Sequence, residues 1–229
     1  MNIQQSIGHF AIEVKHYLET IDREFFPKTN IKRKFVIGAL VGIGYPILGL
    51  SLLLIGKKIG YPSIFNLWSR EFFKIPSNLQ TATIVQKIAF VITAPFGNIL
   101  VTVIVPIMEE IVFRDLIQIR VLRNKLQSLL QPVSPTLAQS IDHIAMKVMR
   151  IGLTALLFSF YHVPDHFLFN RPREQTAIQL INTLGMGIGL GILRENSDLF
   201  TCTVAHGTYN GLIAIAYQVR IVAYLFFGK

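Results

Sequence analysis

Thr102–Arg120, TVIVPIMEEIVFRDLIQIR, places two adjacent carboxylates, Glu109 and Glu110, at the end of a hydrophobic run long enough to enter a lipid bilayer. Ionisable groups at that depth are costly unless they are paired. Arg114 follows Glu110 by four residues. At about 100° per residue the two share a helix face, one turn apart, with the acid on the N-terminal side, which is the better orientation for such a pair. Glu109 is turned away by roughly 100° and has no partner of this kind within the helix. The stretch therefore suggests two roles. Glu110 is neutralised by Arg114, and Glu109 is held free for something else.

Composition agrees with a bilayer setting. Of 229 residues, 52% are hydrophobic and 15% charged, against about 25% charged in an ordinary soluble domain. The net charge of +9 in so apolar a chain points to cytoplasmic segments that obey the positive-inside rule and face anionic lipid, not to nucleic acid. A single cysteine excludes an internal disulfide framework. The length predicts one domain.

Outward from the carboxylates, Ile88–Met108 is an uncharged run in which Pro95, Gly97 and Pro106 predict kinks or a break. The helix is expected to continue past Glu109 to about Leu130. The segment 114–150 holds six Lys and Arg against two acids and reads as a cytoplasmic loop, with Pro132, Ser134 and Pro135 marking a turn. Upstream, residues 1–34 read as an amphipathic interfacial helix, with Ile3, Ile7, Phe10, Val14, Tyr17, Ile21 and Phe25 on one face and Pro27 ending it. Lys28, Lys32, Arg33 and Lys34 precede the uncharged span Phe35–Gly56, which puts the N-terminus in the cytoplasm. In 59–87, Phe65, Trp68, Phe72 and Phe73 suggest a second interfacial helix. Downstream, Ile151–Val163, Thr176–Leu193 and Leu199–Tyr217 are further apolar stretches, and Ile221–Phe227 reads as a continuation of the last. Gly185/Gly189 and Gly187/Gly191, small residues four apart, predict close helix approach; no strand precedes them, so they are not a nucleotide loop.

Three pairs of residues spaced by four stand out inside these helices: Glu110/Arg114, Phe158/His162 and His206/Asn210. Each pair shares a face. A lone membrane His or Asn usually glues helices together by hydrogen bonding. A carboxylate, two imidazoles and an amide from three helices point instead to a polar cavity. Cys202, one turn before His206, could form a thiol–imidazole pair, but a small packing residue is the simpler reading. His166 is also four from His162, with the helix-breaking Pro164 between them, which discounts it as a ligand.

The set Glu109-Glu110-x-x-x-Arg114, Phe158-x-x-x-His162, His206-x-x-x-Asn210 resembles the membrane-embedded CAAX prenyl protease and bacteriocin-processing (Abi) family. The order, spacing and helical setting match over roughly residues 85–217. The resemblance implies an all-α, polytopic membrane bundle of about six to eight helices, with residues 35–229 as the protease-like domain. It implies Glu109 as the base that activates water, His162 as its orienting partner, His206 and Asn210 as oxyanion donors, and Glu110, Arg114 and Phe158 in support. The implied substrate is a membrane-associated peptide or protein C-terminus, lipidated or not, reached from membrane lipid. Glu109, His162 and His206 have the composition of a His/His/Glu zinc set, yet the HExxH motif is absent and a metal-free carboxylate mechanism fits the same residues. The alternative reading is a non-catalytic bacteriocin-immunity or scaffold protein of the same fold. A proton-coupled transporter ranks below both, because no repeat halves are visible.

Overall fold

The computed structural model describes residues 30–58, 82–164 and 173–227, together with Lys15, His16 and Glu19. The expectations for the rest of 1–29, for most of 59–87 and for His166 lie outside the described residues. What is described is all-α, with six helices: α1 (Ile31–Lys58), α2 (Ile84–Leu130), α3 (Pro135–Gln139), α4 (Ile144–Tyr161), α5 (Arg173–Asn196) and α6 (Leu199–Phe227). Two of them, α2 and α4, are long and apolar enough to cross a membrane.

The helix carrying the carboxylates does run on to Leu130. It starts at a capping box, in which the Thr83 hydroxyl accepts from the Gln86 amide while the Gln86 side chain accepts from the Thr83 amide. Its first sixteen residues bury nothing, and Val85 and Phe96 are 71% and 72% exposed. Only Phe90 among them packs into a core cluster, against Ile221 of α6, and an apolar helix so little covered is suited to lipid and unsuited to water. Of the expected kink sites, Pro95 and Gly97 lie within regular α-helix, while the backbone widens to i→i+5 bonding over Leu100–Ile104, just before Pro106; it widens again over Ile111–Lys125, where no break was expected. The expected loop 114–150 is therefore mostly helix: the end of α2, a turn at 131–133, α3 with its 3₁₀ extension, and the start of α4.

The closest packing is between α1 and α6 and between α4 and α5, with α2 laid against α6 and α4. Glycines explain both contacts. On α5, Gly187 lies against Ala155 and Gly191 against Ile151, where a Cβ would come within 3.0 Å of each, so this pair seats α5 on α4 as predicted. The pair Gly185/Gly189 does not act the same way. Gly185 meets the Tyr45 hydroxyl of α1, and Gly189 has no neighbour within 4 Å. A further small-residue pair, Gly38 and Gly42 on α1, sits directly on the Thr201 and Ala205 carbonyls of α6. Gly42→Ala should therefore push α1 off α6, at about 1–3 kcal/mol for overpacking, read as a lowered melting temperature in detergent; an unchanged melting temperature would show that α1 is free to yield.

Charge gathers at one end of the bundle. Lys34, early in α1, pairs with Asp198 before α6, and Arg194 near the end of α5 pairs with Asp115 of α2 at 3.4 Å. Asp198 also caps α6, accepting from the Thr201 amide at 2.9 Å and its hydroxyl at 2.7 Å. Burial alone would raise the Asp198 carboxyl, but the bonds from Lys34 and Thr201 and the Lys34 charge outweigh it and hold the group below its ordinary value. A carboxyl depressed in the folded state stabilises above its unfolded pKa, near 3.9, and loses that contribution as pH falls through the depressed value. Asp198→Asn should thus lower the melting temperature at neutral pH, and its deficit relative to wild type should shrink below about pH 4.

Candidate active site

Six of the seven residues singled out in the sequence meet in one cluster. Glu109 and Glu110 come from α2, with Glu109 8% exposed and Glu110 fully buried. Wider turns below them bring positions four apart closer to superposition, and Glu110, Arg114 and Gln118 form a fully buried column. On α4 the helix stops at Tyr161, three residues before Pro164, whose ring would clash with a continuing turn. His162 occupies the cap position. Its backbone N–H closes back on Ser159, and its side-chain Nδ1 lies 2.8 Å from the Phe158 carbonyl, an acceptor left over at the helix end. On α6, His206 is 2% exposed, eight residues into the bundle from Asp198, roughly 12 Å at the helical rise.

These constraints fix how the rings face. A carbonyl only accepts, so His162 carries its Nδ1 proton toward Phe158 and turns Nε2 to Glu109 Oε1, 3.7 Å away. That gap is too long for a direct hydrogen bond and suits one bridging water. His206 donates Nδ1–H to Glu110 Oε1 at 2.9 Å and turns Nε2 to Glu109 Oε2 at 3.5 Å. Glu110 Oε2 in turn lies 3.4 Å from the Arg114 Nε. Phe158 packs edge-on against both imidazoles, with centroids 4.8 and 5.8 Å apart, and its ring lies 5.3 Å from the Arg114 guanidinium carbon. It therefore spaces the two histidines and lends a π face to the cation.

Asn210 is engaged one turn further along α6. Its amide donates to the Val101 carbonyl at 3.1 Å. Pro106 has no N–H to offer the turn before it, and Val101 lies in the widened part of that turn. Gly207 allows the contact, since a Cβ there would stand 2.6 Å from the Thr102 carbonyl. Pro106, Gly207 and Asn210 thus act together as the joint between α2 and α6. Cys202 is fully buried and its thiol faces the Leu190 carbonyl at 3.7 Å, away from a nucleophile's role.

The structure adds residues that sequence reading passed over. Gln118 donates to the Gly191 carbonyl and to Glu195, both at 3.0 Å. Arg150, 1% exposed, reaches Glu195 at 2.9 Å and the Ile141 carbonyl. Arg123 bonds Asp142 at 2.9 Å, and Arg120 bonds Asp115 at 2.7 Å. The arginines of the segment expected as a cytoplasmic loop are largely paired, and they tie α2, α4 and α5 beneath the cluster. At the exposed rim of the network, Asp142, the last residue of the 3₁₀ extension, is held below its ordinary value first by its bond to Arg123. The one readable signal was the i+4 step continuing from Arg114 to Gln118.

Glu109, His162 and His206 were the set open to zinc. Ligands about 2.0–2.1 Å from a tetrahedral zinc stand roughly 3.3 Å apart. The Glu109–imidazole separations exceed this, and no group of three such side chains among the described residues is placed to hold an ion.

The sequence model for type II CAAX prenyl endopeptidase Rce1-like proteins matches residues 88–212, more than half of the chain and all three motif pairs. The chain belongs to this family. Membership makes it one of a family of membrane-embedded proteases acting on protein or peptide substrates. Searches of curated proteins and of solved structures gave no match. The matched span begins within α2 and ends within α6, so α1, which closes on α6 through Gly38 and Gly42, lies outside it.

Proposed function

We propose that this protein is an intramembrane endopeptidase that hydrolyses peptide bonds in membrane-associated peptides or protein C-termini, using water activated by Glu109. The carrying observation is Glu109 held between the Nε2 atoms of His162 and His206, with Glu110 behind His206. Glu109, Glu110 and Arg114 together leave one negative charge, and one further proton makes the buried cluster neutral. His206 touches both carboxylates, so it is the ring to carry that proton, donating from Nδ1 to Glu110 and from Nε2 toward the site.

The reaction then proceeds as follows. A water between Glu109 Oε1 and His162 Nε2 gives one proton to Glu109, and its oxygen bonds to the scissile carbonyl carbon. The oxyanion accepts from His206 Nε2–H, and the second N–H of Asn210 is the candidate for a further donor, the first being held by Val101. Glu109 passes its proton to the leaving nitrogen as the C–N bond breaks. Arg114 and Phe158 keep Glu110 and the rings in place.

The bundle is read as multi-pass. The charged end, with Lys32, Arg33, Lys34, Arg120, Arg123, Arg150 and Arg194, faces the cytosol together with the N-terminus. A prenylated C-terminus is the substrate type that the family name suggests.

Membranes from cells producing wild type, Glu109→Gln and Glu110→Gln at matched levels test this by mass spectrometry of peptide ends. New ends are expected with wild type only, and they should persist when a zinc chelator is added. Loss of the ends with chelator would make the reaction metal-dependent. Identical ends in all three samples would overturn the protease and favour a binding or immunity protein.

A further inference from the structure

We infer that the protein binds an ordered water between α2 and α4, behind the Glu110–Arg114 pair, and that Gln118 and Thr154 are positioning residues that act through it on Arg114. The site rests on side-chain geometry; its effect on turnover rests on the protease reading above. Arg114, Gln118 and Thr154 are all fully buried. Arg114 Nη1 and Nη2, Gln118 Oε1 and Thr154 Oγ1 have no hydrogen-bond partner among the described residues. Buried polar atoms left in this way are costly, and ordered water is their usual partner in folded proteins.

The local structure directs these atoms to a common partner. Gln118 spends both amide hydrogens on acceptors, the Gly191 carbonyl and Glu195, so the amide cannot flip and Oε1 is left to accept. A helical threonine often bonds the carbonyl one turn back, as Thr93, Thr102, Thr183 and Thr203 do. Thr154 makes no such bond. Arg150, Thr154 and Phe158 are four apart and share the buried face of α4. Phe158 lies against Arg114, and Arg150 shares Glu195 with Gln118. Thr154 is thus bracketed at the level between Arg114 and Gln118, themselves four apart on α2. Arg114 can only donate, Gln118 Oε1 can only accept, and the Thr154 hydroxyl does either. A water satisfies all three at once. An anion would meet the Gln118 oxygen and add negative charge beside Glu110, which already balances Arg114. Held from its far side, the guanidinium keeps Nε toward Glu110 Oε2 and so keeps Glu110 Oε1 on His206.

Thr154→Val and Thr154→Ser separate hydrogen bonding from packing. Valine keeps the shape and loses the hydroxyl; serine keeps the hydroxyl and loses a methyl group. Purified full-length protein would be compared by melting temperature and by kcat and KM on a peptide cleaved by wild type. Thr154→Val should lower the melting temperature and reduce kcat about tenfold, the worth of one hydrogen bond to a charged group, with KM unchanged. Thr154→Ser should stay near wild type in both. The reverse order, with valine at least as stable and active as serine, would make the position a packing site and overturn the inference. A crystal structure of wild type grown in bromide decides independently of how the variants fold. Oxygen density within hydrogen-bonding distance of Thr154 Oγ1, Gln118 Oε1 and Arg114 is expected. An anomalous bromide peak there, or no density, would overturn the water. Absence of cleavage by wild type would sink the protease reading and the effect on kcat, while the melting temperatures and the density would still decide the site.

Discussion

Glu109→Gln is expected to lower peptide hydrolysis by about 10²–10⁴-fold, the usual contribution of a positioned general base, while leaving the fold in place. The amide is isosteric with the carboxylate, and its oxygen can still accept from His206 Nε2, so the cluster keeps its shape. It cannot take a proton from water. The measurement is kcat on a peptide cleaved by wild type, beside the melting temperature of both proteins in the same detergent. Hydrolysis retained within tenfold would remove Glu109 from the role of base. Glu110→Gln is a useful contrast. It keeps a hydrogen bond to His206 Nδ1 but takes away the charge that steadies a protonated ring, so its effect should fall mainly on kcat and be smaller.

Arg114→Ala should damage stability before activity can be read. Arg114 and Glu110 are both fully buried, and Glu110 would be left as an uncompensated charge. Breaking such a pair by removing one partner costs about 3–5 kcal/mol. The guanidinium is held by charge at 3.4 Å and by the Phe158 face, and its nitrogens have no hydrogen bond among the described residues. Arg114→Lys should rescue little, because a compact ammonium cannot reproduce the planar stacking. Arg114→Met combined with Glu110→Gln removes both charges together and should restore much of the melting temperature without restoring hydrolysis. If Arg114→Ala unfolds at the wild-type temperature, the pair is not what holds α2 in register with α4 and α6.

Much of this molecule was legible because the bilayer makes polar residues conspicuous. Against an apolar background, Glu109, Glu110, Arg114, His162, His206 and Asn210 could be picked out and paired by helical spacing alone. The reach of α2 to Leu130 and of α6 to Phe227 agrees with the helices expected from the apolar runs that begin them. Pro164 marked the end of α4 and so the position of His162. The same reasoning failed where spacing carried no information about partners. Gly185/Gly189 and Gly187/Gly191 have identical spacing, and only the position of α4 decides that the second pair is the packing one. Gly38 and Gly42 look like ordinary residues of a span until α6 lies on them.

What the chain alone determined, then, was helicity and the set of polar side chains gathered in the proposed site, since these depend on local spacing and on the cost of charge in an apolar run. The tertiary structure decided which face meets which. It turned Nε2 of both imidazoles to Glu109 through the Phe158 carbonyl and Glu110, assigned one N–H of Asn210 to Val101, and converted a basic stretch into the paired network of Asp115, Gln118, Arg150 and Glu195. Apart from the bond between His162 and the Phe158 carbonyl, one turn away, these outcomes rest on contacts between residues 45 to 109 positions apart in the chain, and helical spacing reaches only the next turn.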